Sequence, residues 1–320
     1  MKSEFIVENK KRNSKMQKSV SHAEKKWSGK TQGWGTGIKI FLVLIKTFGY
    51  FPAYLLLIFV CAVYTAGNKS ARAAIKDFRL RLGLKTCVWD YYAHFFSFSV
   101  SLIHRIGLLV RKKNELKYST ANENYIEDEI AGGRGVILLS SHIGNWEIAG
   151  EILSGRLKAK INVLMVERDG EQMKKIYESV NKNRAVNIIS IGENPFETMI
   201  AVKTALENGE IVAALGDRYI DENIAEVEFL GAKAKFPRGI FEIACITNTK
   251  IIPVFMTRKK LHFYEFRAGE AIVIARFDKL SNRIQRKENI DRAVQDFANQ
   301  IAGQARITPL QWYNFYKFWG

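Results

Sequence analysis

Apolar runs alternate with amphipathic stretches through the second half of the chain. Short runs rich in leucine and β-branched residues predict buried strands at 136–139, 161–166, 211–215, 251–256 and 271–276. Longer stretches with helical spacing of apolar residues predict helices at 146–153, 171–186, 196–207 and 291–305. Alternating strands and helices are typical of α/β proteins, so we expect a mixed, largely parallel sheet covered by helices.

A longer hydrophobic segment lies nearer the amino terminus, at residues 40–66. Lys46 and Pro52 fall inside it, and residues 50–66 carry no charge. Those 17 residues make about 25 Å of helix, which is at the lower end for a membrane span. We predict a helix that anchors the chain in or across a membrane, and a buried core helix is the alternative. The aromatic-rich stretch 91–110 could add an interfacial helix.

Positive charge on the chain indicates acidic partners. The formal net charge is +17, and residues 1–39 contribute +7 through ten Lys and Arg against three Glu. Their composition predicts a disordered tail, followed by the anchor at 40–66 and one domain at 67–320. Anionic lipid headgroups attract basic segments by about 1 kcal/mol per Lys or Arg. No nucleic-acid-binding module is recognisable, so nucleic acid is not an expected partner.

The strongest chemical signal is a histidine that follows the first of these strands. His142 lies at a Gly-Asn turn between this strand and a helix, and Glu147 follows five residues later. Strand-to-helix junctions are where α/β proteins place their chemistry. A neutral imidazole accepts a hydroxyl proton near pH 7, and a carboxylate on its other ring nitrogen fixes the tautomer. We predict that His142 is a general base oriented by Glu147; a structural histidine is the alternative.

The nucleophile is expected to come from a substrate. The chain has no Gly-x-Ser-x-Gly elbow and no cysteine near His142 in sequence. Acyl transfer to an acceptor hydroxyl is the inferred reaction, and the backbone amides of Gly144 and Asn145 are candidates to face the developing oxyanion. The three cysteines, which lack metal-ligand spacing, are expected to be buried free thiols in a reducing compartment; they are Cys61, Cys87 and Cys245.

The run Ser141-His-Ile-Gly-Asn-Trp-Glu147 resembles the signature of the lysophospholipid acyltransferase superfamily. The superfamily pattern is His-x-x-x-x-Asp/Glu, and the bacterial lipid A late acyltransferases often carry Ser-His-x-Gly-Asn-Trp-Glu. A bare pair at this spacing arises often by chance, whereas the seven-residue form in a strand-turn-helix context is specific. Further stretches resemble the family's landmarks in the correct order, at 163–168, 213–218, 229–239, 251–256 and 309–319.

The resemblance implies a glycerolipid acyltransferase-like α/β fold and a membrane-associated enzyme. Such an enzyme would move a fatty acyl chain from acyl carrier protein to a hydroxyl of a lipid or glycolipid, such as a lipid A precursor. It would act at the cytoplasmic face of the bacterial inner membrane, with the carrier protein, the acceptor and the membrane as partners and with neither metal nor other cofactor. The residues it places in substrate binding or positioning are Asn145, Arg168, Asp217, Arg218 and Arg238.

Each of those charged residues has a structural alternative, an ion pair or a solvated turn at a strand end. Arg168 could instead bind an anionic headgroup or the phosphopantetheine phosphate, because guanidinium binds such groups in bidentate fashion. Asp217 could position the catalytic pair or the acceptor. His94 and His104 are ten residues apart on a predicted helix and share no ligand face, so both are expected to be structural.

Departures from the family pattern concern the acceptor. Residues 236–240 read Phe-Pro-Arg-Gly-Ile and lack the glutamate of the Phe-Pro-Glu-Gly-Thr-Arg loop of many glycerolipid acyltransferases. Asp169 stands where lipid A enzymes commonly have proline. Four runs resemble a sister branch found with aryl polyene and flexirubin pigment pathways: Gly-Asp-Arg at 216–218, Phe-Leu-Gly at 229–231, Phe-Pro-Arg-Gly at 236–239 and Gln-Trp-Tyr-Asn-Phe-Tyr at 311–316. Three alternatives stay open: an acyltransferase of an aryl polyene, flexirubin or aminolipid pathway, a thioester hydrolase, and a noncatalytic lipid-binding protein.

Overall fold

The computed structural model describes residues 36–110, 115–154, 156–157, 159–166, 186–191, 195–219, 222–275 and 283–319. Residues 39–320 make up one compact unit. The predicted tail lies outside the described residues except for 36–39, which begin a helix.

Four helices precede the first strand of the described chain. They are α1 (Thr36–Phe48), α2 (Tyr50–Gly67), α3 (Lys69–Arg81) and α4 (Val88–Val110). The predicted anchor is therefore two helices rather than one, because Gly49 adopts a left-handed φ of 83° between α1 and α2. Helix α2 is long and apolar enough to cross a membrane by length and composition. Its anchoring role stays a prediction.

The remaining elements alternate between strands and helices. In chain order they are β1 (Lys117–Ala121), α5 (Asn124–Ala131), β2 (Val136–Ser140), α6 (Trp146–Ser154), β3 (Ile161–Val166), β4 (Val186–Ile191), α7 (Pro195–Glu207), β5 (Ile211–Leu215), β6 (Ile224–Phe229), β7 (Ala232–Pro237), α8 (Gly239–Thr247), β8 (Ile251–Lys260), β9 (Phe263–Ala268) and α9 (Arg283–Ile307).

Seven of the strands form one sheet in the order β1-β9-β8-β2-β5-β3-β4. Every pairing in it is parallel except that of β8 with β9. Strands β6 and β7 form a separate antiparallel hairpin. The predicted α/β class with a mixed, largely parallel sheet is confirmed.

Strand β2 lies in the middle of the sheet and is buried on both faces. Ile137 and Leu139 pack into the core on one side, with α7, α8 and α9. Val136 and Leu138 pack into the core on the other side, with α5 and α6. Side chains alternate between the faces of a strand, so a continuous apolar run is what a strand covered by helices on both sides requires.

The sequence located four strands of the main sheet correctly, at 136–139, 161–166, 211–215 and 251–256. The strand predicted at 271–276 is wrong for its described part, where only Ile272 pairs, through an isolated bridge to Ile251. Strands β1, β4, β6, β7 and β9 were not predicted.

Three of the four predicted helices lie among the described residues, and all three are present. Those at 146–153 and 196–207 are confirmed, and the one at 291–305 is confirmed with an earlier start at Arg283. The helix predicted at 171–186 lies outside the described residues except for Val186, which begins β4. All three cysteines are free; Cys61 and Cys245 are buried as predicted, whereas Cys87 is exposed.

Candidate active site

The sheet register brings His142 and Asp217 together. Strands β2 and β5 are parallel neighbours, and Ser140 at the end of β2 lies opposite Leu215 at the end of β5. His142 and Asp217 each follow two residues after that last pair, so both side chains reach the same edge of the sheet. The Nδ1 atom of His142 lies 2.7 Å from Oδ1 of Asp217.

Asp217 makes two further hydrogen bonds with its second carboxylate oxygen. Oδ2 accepts the backbone N–H of His142 at 2.9 Å and the indole Nε1–H of Trp312 at 3.1 Å. The Asp217 side chain is only 1% exposed, whereas that of His142 is 23% exposed. Asp217 therefore fixes both the backbone and the ring of His142, and the ring still reaches the surface.

This geometry corrects the predicted dyad. The sequence suggested that Glu147, five residues after His142, would orient the imidazole, but the carboxylate bonded to Nδ1 belongs to Asp217. Asp217 was predicted only as a possible positioning residue. A carboxylate on Nδ1 keeps the proton on that nitrogen and leaves the Nε2 lone pair to accept another proton.

The electrostatics favour a neutral imidazole beside an ionised carboxylate. Burial and the nearby Arg218 lower the pKa of His142 below its usual value, although Asp217 acts in the opposite direction. Burial alone would raise the pKa of Asp217, but His142 and Arg218 outweigh it and lower that pKa to about 2. At neutral pH His142 is thus an unprotonated base held by a fixed negative charge.

Glu147 takes a different role, as the partner of Arg105. The carboxylate of Glu147, in the first turn of α6, forms an ion pair with the guanidinium of Arg105 on α4. Their side chains are 11% and 17% exposed, respectively. Burial raises the pKa of Glu147, although Arg105 attracts its charged form. This pair joins α6, the helix after the turn that carries His142, to α4.

The turn after His142 is held by backbone hydrogen bonds. Gly144 has a φ of 71°, and a β-carbon there would collide with the carbonyl oxygen of Met256. The Gly144 N–H donates to the Gln311 carbonyl and the Asn145 N–H to the Met256 carbonyl, both at 2.7 Å. The prediction that these two amides face an oxyanion is wrong, because both are already paired within the protein.

The side chain of Asn145 also bonds within the protein. Its Nδ2 donates to the backbone carbonyl of Ser101 on α4 at 2.8 Å, and the residue is buried. The predicted substrate-binding residue therefore links the turn to α4.

The carboxyl-terminal segment completes the site, which the sequence did not reveal. The Tyr313 N–H donates to the His142 carbonyl at 2.8 Å, and Ile143 pairs with Trp312 in an isolated antiparallel bridge. Arg218 Nη2 donates to the Tyr313 carbonyl at 2.9 Å, and its guanidinium lies 5.4 Å from the Tyr316 ring centre. The sequence marked this segment by its aromatic residues at 312–319 and by its resemblance to a family landmark at 309–319, and neither signal indicated a contact with His142.

The other two predicted arginines have different outcomes. Arg238 forms a bidentate ion pair with Asp291, at 2.6 and 2.9 Å, which ties the start of α8 to α9. Arg168 lies outside the described residues.

The histidines predicted to be structural bond within the core. His94 Nε2 lies 2.9 Å from the Trp312 carbonyl, and His104 bonds to the hydroxyls of Tyr54 and Tyr264. Over the part of the chain that the structure describes, no group of three or more His, Cys, Asp and Glu side chains could hold a metal ion.

The chain is similar in sequence to known acyltransferases. The family described as bacterial lipid A biosynthesis acyltransferase matches residues 93–319. Phosphatidylinositol mannoside acyltransferase from two strains of Mycobacterium tuberculosis is 23% identical over 199 residues, which is 61% of this chain. The aligned region covers 58% of the length of those relatives. The matched residues include both members of the His142–Asp217 pair and the carboxyl-terminal segment that buries it.

Proposed function

The chain belongs to the bacterial lipid A biosynthesis acyltransferase family, and from that premise we propose that it transfers a fatty acyl chain to a hydroxyl of a lipid or glycolipid. The proposed donor is an acyl carrier protein thioester, and a lipid A precursor is the acceptor considered first. The donor is a substrate, and the proposed reaction needs neither a metal nor another cofactor.

The observation that supports this proposal is the hydrogen-bonded pair of His142 and Asp217. Because Asp217 holds the Nδ1 proton, Nε2 of His142 can remove the proton from the acceptor hydroxyl as its oxygen attacks the thioester carbonyl. A tetrahedral intermediate forms and collapses, the carbon–sulfur bond breaks, and the imidazolium returns the proton to the departing thiolate. Asp217 stabilises that imidazolium, and the products are an ester and a free thiol.

The donor and the location rest on charge and hydropathy. Acyl carrier proteins are acidic, and a chain with a net charge of +17 attracts both such a partner and anionic headgroups. Helix α2 gives the enzyme an apolar element that can enter a bilayer. These features support the inner membrane as the location and its cytoplasmic face as the side of the active site.

The alternative acyltransferase functions differ only in the acceptor that receives the acyl chain. An aryl polyene, flexirubin or aminolipid precursor would use the same base and the same proton transfers. Residues 236–240, which lack the glycerolipid-type glutamate, support keeping these acceptors open.

Two functions of other classes would leave different products. A thioester hydrolase would activate water with His142 and release free fatty acid without an acceptor. A noncatalytic lipid-binding protein would not require a neutral histidine held by a buried carboxylate, so the intact pair argues against it.

Mass spectrometry of lipid extracts tests the proposal. Cells lacking the gene would be complemented with wild type or with His142→Ala. Loss of one acyl group from a lipid, restored by wild type alone, supports the acyltransferase and identifies the acceptor. An unchanged lipid profile in the deleted strain would overturn the proposal.

A further inference from the structure

Helix α2 is apolar on both its inner and its outer face. Tyr50, Ala53, Leu57, Cys61 and Thr65 are buried, at the spacing of one helical face. The opposite face is exposed, and its residues are Phe51, Leu55, Ile58, Phe59, Ala62 and Val63. Phe51 and Phe59 are each 71% exposed. A surface helix normally presents polar residues outward, so an apolar outer face of this size calls for a second apolar environment.

The inner face is covered along most of its length by α4. The Tyr54 hydroxyl lies 2.6 Å from His104 Nε2, near the carboxyl-terminal end of α4. Farther along α2, Cys61 Sγ donates to Ser99 Oγ at 3.5 Å, and the rings of Tyr64 and Phe95 lie 6.4 Å apart. The two helices therefore run antiparallel in contact over several turns.

Helix α4 is itself fixed to the sheet and to the catalytic turn. His104 Nδ1 bonds to the Tyr264 hydroxyl on β9 at 2.7 Å. The next residue, Arg105, pairs with Glu147 just after the catalytic turn. If α2 crossed the bilayer with α4 attached, this buried ion pair would enter the hydrocarbon, which is costly for charged side chains. If α2 crossed alone, its polar contacts to α4 would be left unmade.

We propose that α2 lies in the plane of an anionic bilayer, with its outer face in the lipid and its inner face on α4. The charge around the helix fits this partner, because exposed lysines occur before it and after it, at positions 39, 46, 69 and 76. Trp89 is also exposed at the start of α4, and tryptophan is enriched at the level of lipid headgroups. The proposal deepens the proposed function, on which it rests for the membrane acceptor.

The arrangement places the turn that carries His142 near the lipid-facing helix. Helix α2 contacts α4, and α4 contacts α6, which follows the catalytic turn. Asn145 in the turn after His142 also bonds directly to Ser101 on α4, so a single helix separates this turn from the lipid-facing helix. A membrane lipid then needs to rise only partly from the bilayer for its headgroup to reach the base.

Vesicle sedimentation of the full chain tests the lipid-facing surface without donor or acceptor. We expect binding to phosphatidylcholine vesicles that contain phosphatidylglycerol, and at least about tenfold weaker partitioning for the double variant Phe51→Glu with Phe59→Glu. The matched control is Val273→Glu with Ile307→Glu, two exposed apolar residues outside α1 and α2. Equal losses of vesicle binding in the two double variants, or no loss in the Phe51→Glu with Phe59→Glu variant, would overturn the proposal that this face of α2 contacts lipid.

A disulfide between α2 and α4 distinguishes an α2 that lies in the plane of the bilayer from an α2 that spans it. Ser99→Cys places a second thiol beside Cys61, so that oxidation can lock α2 to α4. We expect the cross-link to form on vesicle-bound protein and to leave sedimentation within about twofold of the reduced form. A cross-link that forms only in unbound protein, or that abolishes binding, would show that α2 leaves α4 to insert. Sedimentation measures membrane binding and requires no turnover, whereas acyl transfer would be assayed in detergent. A protein that fails to bind vesicles can therefore be distinguished from one that fails to transfer an acyl chain.

Discussion

Oδ1 of Asp217 lies 2.7 Å from Nδ1 of His142, although the two residues are 75 positions apart in the chain. The nearer carboxylate in sequence, Glu147, pairs with Arg105 instead. The two carboxylates thus have separable tasks. Asp217 orients the imidazole of His142, the proposed base, and Glu147 joins the helix after this turn to α4.

Replacing Asp217 should abolish catalysis without unfolding the protein. Asp217→Asn keeps the shape but loses the charge that stabilises the imidazolium and the acceptor that selects its tautomer. We expect kcat to fall by about 10⁴-fold, as for the matching carboxylate of a Ser-His-Asp triad. Activity assays and thermal unfolding check this. A variant that keeps a tenth of wild-type kcat would rule out Asp217 as the orienting group.

Replacing Glu147 or Arg105 should act mainly on stability. Arg105→Gln removes the cation that pairs with the buried Glu147 carboxylate, so it should lower the free energy of unfolding by about 3 kcal/mol, and Glu147→Gln should cost less because Arg105 has other interactions. The double variant should lose less than the sum of the two single losses, because the ion pair is counted only once. Urea unfolding of all four proteins gives the coupling energy. Additive losses in the double variant would contradict the pairing.

The rate should depend on pH through His142. The unprotonated ring is the base, so activity rises as pH increases through the pKa of His142, which lies below the usual value of about 6.5. Arg218 contributes to that lowering, so Arg218→Gln should move the rise to higher pH. Arg238→Gln, which breaks the pair with Asp291, is the control and should leave the midpoint in place. The measurement is kcat/KM against pH, and a shift of equal size in both variants would refute the role of Arg218.

Two indoles offer a matched test of the carboxyl-terminal segment. Trp312→Phe keeps the ring packing but removes the donor to Asp217 Oδ2, and we expect about a tenfold loss of kcat from one charge-assisted hydrogen bond. Trp319→Phe removes a donor to the Phe229 carbonyl, and its effect should appear in stability and not in kcat. If the two variants lost kcat equally, the bond to Asp217 would have no special part in catalysis.

Parts of the structure that depend on local pattern could be predicted. The apolar run of β2 and the Gly-Asn turn after it located His142 at a strand end, because burial on both faces leaves a continuous hydrophobic signal. The hairpin of β6 and β7 was not predicted, although β6 alternates buried and more exposed residues, because each strand is only six residues long and gives a weak pattern. Ile272 lies in an apolar run that resembles a strand, but it forms only a single bridge.

The carboxylate that bonds to His142 could not be identified from the sequence, because the order of strands in the sheet decides which one it is. Glu147 was the obvious candidate because it is near in sequence, whereas Asp217 becomes a neighbour only through the pairing of β2 with β5. Strand order is set by how the connections cross the sheet, and β2 pairs with β5 and β8 rather than with β3. The bond from Trp312 spans 95 residues and depends on the course of the carboxyl-terminal segment after α9.

The decisive measurement is acyl transfer by the purified full chain in detergent, with acyl carrier protein thioester as the donor and the lipid found in the cell experiment as the acceptor. Mass spectrometry would quantify acylated lipid and free fatty acid for wild type and for His142→Ala. We expect acylated lipid from wild type and at least about a thousandfold less from the folded variant, because the base that activates the hydroxyl is gone. Near-native transfer by folded His142→Ala, or free fatty acid alone from wild type, would contradict His142-driven acyl transfer.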